Sequence, residues 1–185
     1  MAKLVVSQFI TVDGVIEDPG GSENHELGGW AFKFDRGDVG NQFKFDEVMA
    51  SEALLLGRRT YEGFAEAWPS RTGDFADKFN TMKKYVVSTT LENPEWNNTT
   101  VIDGDVGEAV RKLKDELDGD ILVNGSATLL KTLVEEGLVD ELRLMVYPTL
   151  LGTGKRLVDG LTDAASLKLT ESKQAGETLI LVYES

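Results

Sequence analysis

The segment Gly57-Arg58-Arg59-Thr60 places two cations and a hydroxyl directly after a short apolar run. The pattern predicts a buried strand over residues 53–56, followed by a helix from Arg58 to about Glu66. The unpaired amides of a helix N-terminus and the forked guanidinium groups both suit phosphate oxygens. Because the helix dipole favours acidic residues in the first turn, two arginines there are locally unfavourable unless an anion binds. The segment therefore predicts an anion site, although a solvated basic helix start explains the same residues.

Two further strand ends carry small polar residues. Ser88-Thr89 closes the predicted strand 83–88, and Asn124-Gly125-Ser126-Ala127-Thr128 follows the predicted strand 121–123. Because ligands bind at the carboxyl ends of the strands in an open α/β sheet, we expect these turns to converge on one crevice. Gly125 lets the backbone approach a pyrophosphate closely, and the hydroxyls of Ser88 and Thr89 suit a terminal phosphate. Each turn alone also fits an ordinary cap, but the three in this order favour a nucleotide site.

Strand and helix patterns alternate over the first two thirds of the chain, and only strands follow. Predicted strands cover residues 3–9, 53–56, 83–88, 99–102 and 121–123, and predicted helices cover residues 38–51, 58–66, 106–117 and 127–136. Alternating apolar residues after Val139 predict more strands, with an antiparallel hairpin of residues 167–171 and 179–183. This order predicts a three-layer α/β fold with a mainly parallel central sheet, helices on both faces and an antiparallel C-terminal hairpin. No linker divides the chain, so we expect a single domain over residues 1–185.

The composition narrows the classes of function. A net charge of −13 disfavours nucleic acid or an anionic membrane as the main partner, because such surfaces are bound through clustered cations. The chain has no cysteine and one histidine, so disulfides, thiolate chemistry and a metal centre are not expected. No apolar run approaches the roughly 20 residues that span a bilayer, and no secretory signal is recognisable. We therefore predict a cytoplasmic protein without a metal site.

Residues 12–29 form a long predicted loop with repeated Asp, Gly and Pro turn signals. A loop of this length inside a compact domain is usually functional. His25 lies within it and is interpreted as a solvated residue. Trp30, Phe32 and Phe34 alternate directly after the loop, and they either line a pocket for a flat ligand or pack the loop onto the core. Trp30 is the candidate substrate contact.

Six short motifs stand in order along nearly the whole chain. They are Thr11-Val12-Asp13-Gly14-Val15-Ile16, Leu56-Gly57-Arg58-Arg59-Thr60-Tyr61-Glu62, Val86-Val87-Ser88-Thr89-Thr90-Leu91, Ile121-Leu122-Val123-Asn124-Gly125-Ser126-Ala127, Gly137-Leu138-Val139-Asp140-Glu141-Leu142 and Tyr147-Pro148-Thr149-Leu150-Leu151-Gly152-Thr153-Gly154. This ordered set resembles the dihydrofolate reductase-like superfamily. Within that superfamily, the chain is similar to the reductase domain of the bacterial riboflavin-biosynthesis deaminase-reductase.

The resemblance implies an NADPH-dependent reductase that forms a homodimer through its terminal strands and the loop 148–154. The residues that it places around the phosphates are Arg58, Ser88 and Thr89 at the adenosine 2′-phosphate, and Arg59, Thr60, Gly125, Ser126, Ala127 and Thr128 at the pyrophosphate.

The first motif is expected to lie against the nicotinamide ring, through Val12, Gly14 and Ile16. The loop that follows it is expected to act as a lid that excludes water from hydride transfer. Asp13 is the candidate proton donor in this motif, and it serves equally well as a turn former with Gly14.

The substrate half of the chain departs from both relatives. The stretch 40–43 of the first predicted helix offers no carboxylate in register where dihydrofolate reductases engage the pterin, and the turn 124–129 lacks the glutamate of the riboflavin enzyme. The resemblance therefore predicts an NADPH-dependent oxidoreductase that transfers a hydride to a small pterin-, pyrimidine- or flavin-like heterocycle. A nucleotide-binding protein that keeps the fold without turnover is the alternative.

Overall fold

The computed structural model describes residues 1–185. The strands are β1 (Leu4–Thr11), β2 (Ser51–Gly57), β3 (Lys83–Val87), β4 (Thr99–Ile102), β5 (Asp120–Val123), β6 (Glu141–Tyr147), β7 (Lys168–Ala175) and β8 (Thr178–Glu184). The helices are α1 (Gly37–Ala50), α2 (Arg58–Ala67), α3 (Asp74–Thr81), α4 (Val106–Glu116) and α5 (Ala127–Glu135). A 3-10 helix covers Trp30–Lys33. None of these helices is long and apolar enough to cross a membrane.

All eight strands form one sheet in the order β4-β3-β2-β5-β1-β6-β8-β7. The pairs from β4 to β6 are parallel, and β8 runs antiparallel to both β6 and β7. The predicted α/β fold, with a mainly parallel sheet and an antiparallel C-terminal hairpin, is confirmed. Val123 of β5 pairs with Leu55 of β2 on one side and with Val6 of β1 on the other. The carboxyl ends of these three strands therefore lie side by side.

Strand β2 shows how the sheet is buried on both faces. Ala53 and Leu55 pack with residues of α4 and α5, whereas Leu54 and Leu56 pack with residues of α1, α2 and α3. All four side chains are fully buried. Because successive residues of a strand point to opposite faces, an unbroken apolar run is what a central parallel strand requires. The predicted helices on both faces are confirmed.

Helix α3 is a local difference from the sequence prediction, which assigned no element between residues 67 and 83. Turn formers at 69–74 hide its start, and it buries only Ala76 and Phe79. Aromatic packing stabilises it: the ring of Phe79 stacks on Trp68 at a centroid distance of 4.4 Å. Phe75 and Phe79 stand four residues apart, as on one face of a helix, but two such positions in an eight-residue segment after turn formers are too weak a signal to predict it.

Lys84 in β3 is a fully buried cation next to this helix. Its Nζ donates to the carbonyl oxygens of Met82 and Asn97, both at 2.9 Å, and of Asn80 at 3.3 Å. It also lies 4.3 Å from the ring centroid of Trp96. Burial lowers the pKa of Lys84 to about 8, because desolvation disfavours the charged amine.

The lowered pKa of Lys84 predicts that stability rises with pH between about 8 and 10.5. In this range the unfolded chain keeps a proton on Lys84 that the folded chain has released, so alkali favours the folded state. Urea denaturation of the wild type and of Lys84→Met, measured across this range, checks the prediction. Lys84→Met loses the rise, whereas exposed Lys168→Met keeps it. Parallel pH profiles for the wild type and Lys84→Met would contradict it.

Candidate functional site

A cavity of about 370 Å³ opens at the carboxyl ends of β1, β2 and β5. The loop 12–29 covers one side of it, and α1, α2 and α3 border the other. Five cationic and three acidic side chains line it: Arg36, Lys44, Arg59, Arg71 and Lys155, and Glu17, Asp18 and Glu23. A locally cationic wall in a chain with a net charge of −13 favours an anionic ligand.

Two strand-end turns meet at one corner of this cavity. The amide of Gly57 donates to the carbonyl oxygen of Gly125 at 3.0 Å. Gly125 has a φ of +125°, and a Cβ there would lie 2.8 Å from Oγ1 of Thr60. Only glycine therefore fits this approach. The peptide bond between Gly125 and Ser126 is cis.

The same corner holds the N-termini of α2 and α5. Helix α2 has no side-chain cap and no acidic residue in its first turn. Helix α5 is capped by Ser126, whose Oγ accepts from the amide of Leu129 at 3.5 Å. The residues of this corner that line the cavity are Arg59, Thr60, Gly125, Ser126 and Ala127. Thr128 is exposed and lies outside the lining. Free helix amides and a guanidinium at one point make an anion cradle.

Arg58 and the turn after β3 are brought together beside the cavity, not in its lining. Nε of Arg58 donates to Oε1 of Glu62 at 2.8 Å, and Nη1 donates to Oγ1 of Thr90. Oγ of Ser88 accepts from the amides of Thr90 and Leu91. Thr89 is exposed. Ser88 itself is buried, so the exposed surface that Arg58 shares next to the anion cradle is formed by Thr89 and Thr90.

Asp13 lies outside the cavity lining and is fully engaged by hydrogen bonds. Its Oδ1 accepts from Oγ1 of Thr11 at 2.5 Å and from the amide of Leu151 at 3.3 Å, and its Oδ2 accepts from the amide of Gly152 at 2.7 Å. These donors, Thr11 foremost, lower the pKa of Asp13 to about 2. An ionised carboxylate does not donate a proton at neutral pH. Asp13 would have to take up a proton before it could donate one, and its bonds also fit the turn with Gly14, so the proton-donor role stays a prediction.

The neighbours of Asp13 have different surroundings. Val12 is exposed, and Gly14 adopts a φ of +85° at the turn after β1. Ile16 is buried and lines the cavity. Of the three positions expected at the nicotinamide, Ile16 alone lies in the lining.

Trp30 is buried behind the cavity wall, with 1% of its surface exposed. Its Nε1 donates to the carbonyl oxygen of Glu17 at 2.9 Å, and its ring meets Tyr147 edge-on at 5.4 Å. The packing interpretation of this tryptophan is the one that the structure shows, and Trp30 does not line the cavity. Ala31 and the exposed Phe32 line it instead.

The loop 12–29 is organised by a buried carboxylate. Asp18 accepts from the amides of Glu23 at 2.9 Å and His25 at 3.0 Å, and it is 1% exposed. The interpretation of His25 as solvated is wrong, because its side chain is only 15% exposed and packs 3.8 Å from Glu17. Burial, together with the charge of Asp18, raises the pKa of Glu23. The loop thus closes the cavity with a folded, acidic wall.

A family model described as the RibD C-terminal domain matches residues 2–181. The chain belongs to this family. It is 29% identical to the uncharacterized protein YyaP of Bacillus subtilis (strain 168) over 187 residues, 98% of this chain and 94% of that protein. It matches Acinetobacter baumannii RibD with a TM-score of 0.72 and 17% identity, over 100% of this chain and 58% of that one. It matches dihydrofolate reductase from Enterococcus faecalis with a TM-score of 0.59 and 16% identity, over 98% of this chain and 95% of that one. The predicted family and the dihydrofolate reductase-like fold are confirmed.

In this member of the RibD C-terminal domain family, the sequence prediction missed the buried charged residues of α1, of which Lys44 lines the cavity. Gly40, Lys44, Glu47 and Val48 are the buried residues of the helix. The stretch 40–43 carries no carboxylate, as expected, but Glu47 lies one turn further and points inward. The spacing of these positions by four, three and one residues is a helical stripe, and two charges within it are the signal that could have found them.

The bonding of Asp13 predicts that its carboxylate titrates near pH 2. Because the folded pKa lies below the ordinary 3.8, the loop contacts of Asp13 contribute stability above about pH 4 and are lost as the pH falls through 2. The amide proton shift of Gly152, followed by NMR, reports this titration. In Asp13→Asn it stays flat and the amides of Leu151 and Gly152 exchange faster, whereas exposed Asp115→Asn changes neither. A midpoint near 4 would contradict the assignment.

Proposed function

We propose that this member of the RibD C-terminal domain family is a cytoplasmic NADPH-dependent reductase of small, flat heterocycles of the pterin, pyrimidine or flavin type. The observation that carries the proposal is the corner where α2 and α5 begin. Two helix N-termini and Arg59 meet there at the mouth of one cavity. This arrangement suits a pyrophosphate, since amide donors and a guanidinium surround one point.

The preference for NADPH rests on Arg58. Its side chain is 46% exposed, and its guanidinium contacts Thr90 in the turn that also holds Ser88 and Thr89. An adenosine 2′-phosphate at this surface would meet one cation and the exposed hydroxyls of Thr89 and Thr90. The solved structure of the Enterococcus faecalis enzyme contains NADP(H), which supports a dinucleotide on this fold.

The rest of the cavity suits a planar substrate. Aromatic side chains border it from several elements: Phe9, Phe32, Phe64, Trp68, Phe75 and Phe79. A bound nicotinamide would supply the hydride, and the chain itself binds the substrate, orients it and excludes water through the loop 12–29. No covalent catalyst is needed for this reaction.

Replacing Arg58 with alanine is expected to weaken NADPH binding about 10- to 100-fold and NADH binding much less. The reason is that one charge-assisted hydrogen bond is worth roughly 1.5–3 kcal/mol and only NADPH has the 2′-phosphate. Fluorescence titration with both cofactors measures the difference. Arg111→Ala, which removes an exposed arginine paired with Glu136, is the matched control and leaves both affinities unchanged. Equal weakening of both cofactors would argue against a 2′-phosphate site at Arg58.

Turnover separates this proposal from its alternative, a nucleotide-binding protein without activity. The engagement of Asp13 in loop contacts favours that alternative. Oxidation of NADPH is followed by absorbance against pterins, flavins, quinones and nitro compounds. The reductase proposal expects oxidation with at least one flat heterocycle. Tight cofactor binding without oxidation across the whole set would favour the alternative.

We also propose a homodimer through β7, β8 and the loop 148–154. Exposed apolar side chains lie on or directly beside these segments: Leu150, Leu167, Leu169 and Leu179. An apolar surface of this kind is typical of protein–protein contacts. Light scattering is expected to give twice the chain mass of 20.3 kDa, and a mass of one chain would refute the dimer.

A further inference from the structure

Helix α1 carries a buried ion pair directly below the cavity. Nζ of Lys44 contacts Oε1 of Glu47 and donates to Oγ of Ser7 at 2.8 Å. Oγ of Ser7 in turn donates to Oε1 of Glu47 at 2.9 Å. The Glu47 side chain is 1% exposed, whereas Lys44 and Ser7 both line the cavity. The cation is therefore at the wall and its carboxylate partner is behind it.

The fold itself does not explain this pair. Replacing a buried ion pair with apolar residues of similar size is often neutral or stabilising, so such pairs are weak evidence for a structural role. The network is also incomplete: Oε2 of Glu47 has no hydrogen-bond partner, and Nη1 of Arg143 approaches it only to 3.6 Å. Charges kept in this form at a cavity wall point to a ligand.

A second observation, independent of the ion pair, lies on the other face of β1. Gln8 on β1 is 7% exposed, lines the cavity, and has no partner for its Nε2. A buried amide N–H without a partner is unfavourable until an acceptor reaches it. Lys44 has three N–H donors, of which Ser7 and Glu47 use two. The cavity thus has one unused donor on α1 and one on β1, on the opposite face of the strand from Ser7.

We infer that Lys44 is the substrate-contacting cation of this cavity, that Gln8 Nε2 is a second donor from the other face of β1, and that buried Glu47 positions Lys44 at a carbonyl oxygen of the substrate ring. The inference rests on the proposed reductase function and names the part of its site that recognises the substrate. The hydroxyl of Ser7 accepts from Lys44 and donates to Glu47, and so helps to hold both charged groups in place.

This arrangement fits the chemistry of reducing a carbonyl-bearing ring. When a hydride adds to a ring carbon conjugated with a carbonyl, negative charge develops on the oxygen. A fixed ammonium at that oxygen stabilises the charge most where water is excluded. The Lys44 Nζ also lies 5.2 Å from the ring centroid of Phe9, an aromatic face beside the proposed ring position. Asp13, which is ionised and outside the cavity lining, offers no such stabilisation.

Lumazine, a planar pteridine with two ring carbonyls, tests the inference by titration calorimetry with and without NADP⁺. The wild type is expected to bind it, and Lys44→Met to bind it at least tenfold more weakly, with Lys44→Arg between the two. Gln8→Leu is expected to weaken binding several-fold. Lys112→Met, which removes an exposed helical lysine paired with Glu116, is the control and keeps the wild-type affinity. No binding to the wild type, or equal binding by Lys44→Met, overturns the inference.

Glu47 is tested as a positioning residue by a double-mutant cycle. Glu47→Gln is expected to weaken lumazine binding in the wild type and to have no further effect in Lys44→Met, because it acts only through the lysine. A merely structural role would weaken binding equally in both backgrounds. Removing Lys44 alone leaves Glu47 buried and unpaired, so the melting curves of the variants are compared with that of the wild type. If Lys44→Met does not fold, Lys44→Arg and the double variant Lys44→Met/Glu47→Gln provide the test.

Cofactor titrations of the same variants separate this inference from the proposed function. NADPH affinity is expected to be unchanged in every variant, since Gln8 lies on β1 and Lys44 and Glu47 lie on α1, whereas the anion cradle is formed by the N-termini of α2 and α5. If the wild type does not bind NADPH but its lumazine binding depends on Lys44, the proposed reductase function is refuted and the Lys44 site is retained. If NADPH binds normally but lumazine binding does not depend on Lys44, the Lys44 inference is refuted and the proposed reductase function is retained.

Discussion

The hydrogen bond from the amide of Gly57 to the carbonyl oxygen of Gly125 is the constraint on which the site depends. It joins the ends of β2 and β5 just beyond their last ladder pairs, so that α2 and α5 must begin at the same place. A side chain at Gly125 would collide with Thr60, and the two helix starts would then separate. The cradle for an anion thus follows from strand pairing and two glycines, and a charged side chain only adds to it.

Charged groups are arranged in two different ways at this edge of the sheet. At the anion cradle, backbone dipoles and Arg59 lie at the cavity and a ligand completes them. On α1, the charges of Lys44 and Glu47 already compensate each other, and only part of the donor capacity remains for a ligand. The first arrangement suits a strongly anionic group, while the second suits a neutral carbonyl that becomes anionic only during reaction.

The fold and the anion cradle could be predicted from the sequence because they depend on local patterns. The apolar run before Gly57, the glycine after β5 and the alternation of strands with helices each leave a period or a turn signal. The substrate side could not be predicted in this way. Trp30 and Phe32 alternate in sequence, yet Trp30 packs on Tyr147 and Phe32 lines the cavity, because a 3-10 helix rather than a strand presents them. The pairing of Lys44 with Ser7 joins residues 37 positions apart, which no local pattern records.

Lys84 joins three segments that have little else in common. The three carbonyl partners of its ammonium lie near the end of α3, on the connection into β3 and in the turn before β4. Segments tied to one buried group open together or not at all, as one cooperative unit of the native state. Phe75 and Phe79 of α3 belong to that unit and to the cavity wall. Lys84, which lies outside the cavity lining, therefore contributes to the rigidity of the aromatic side of the cavity.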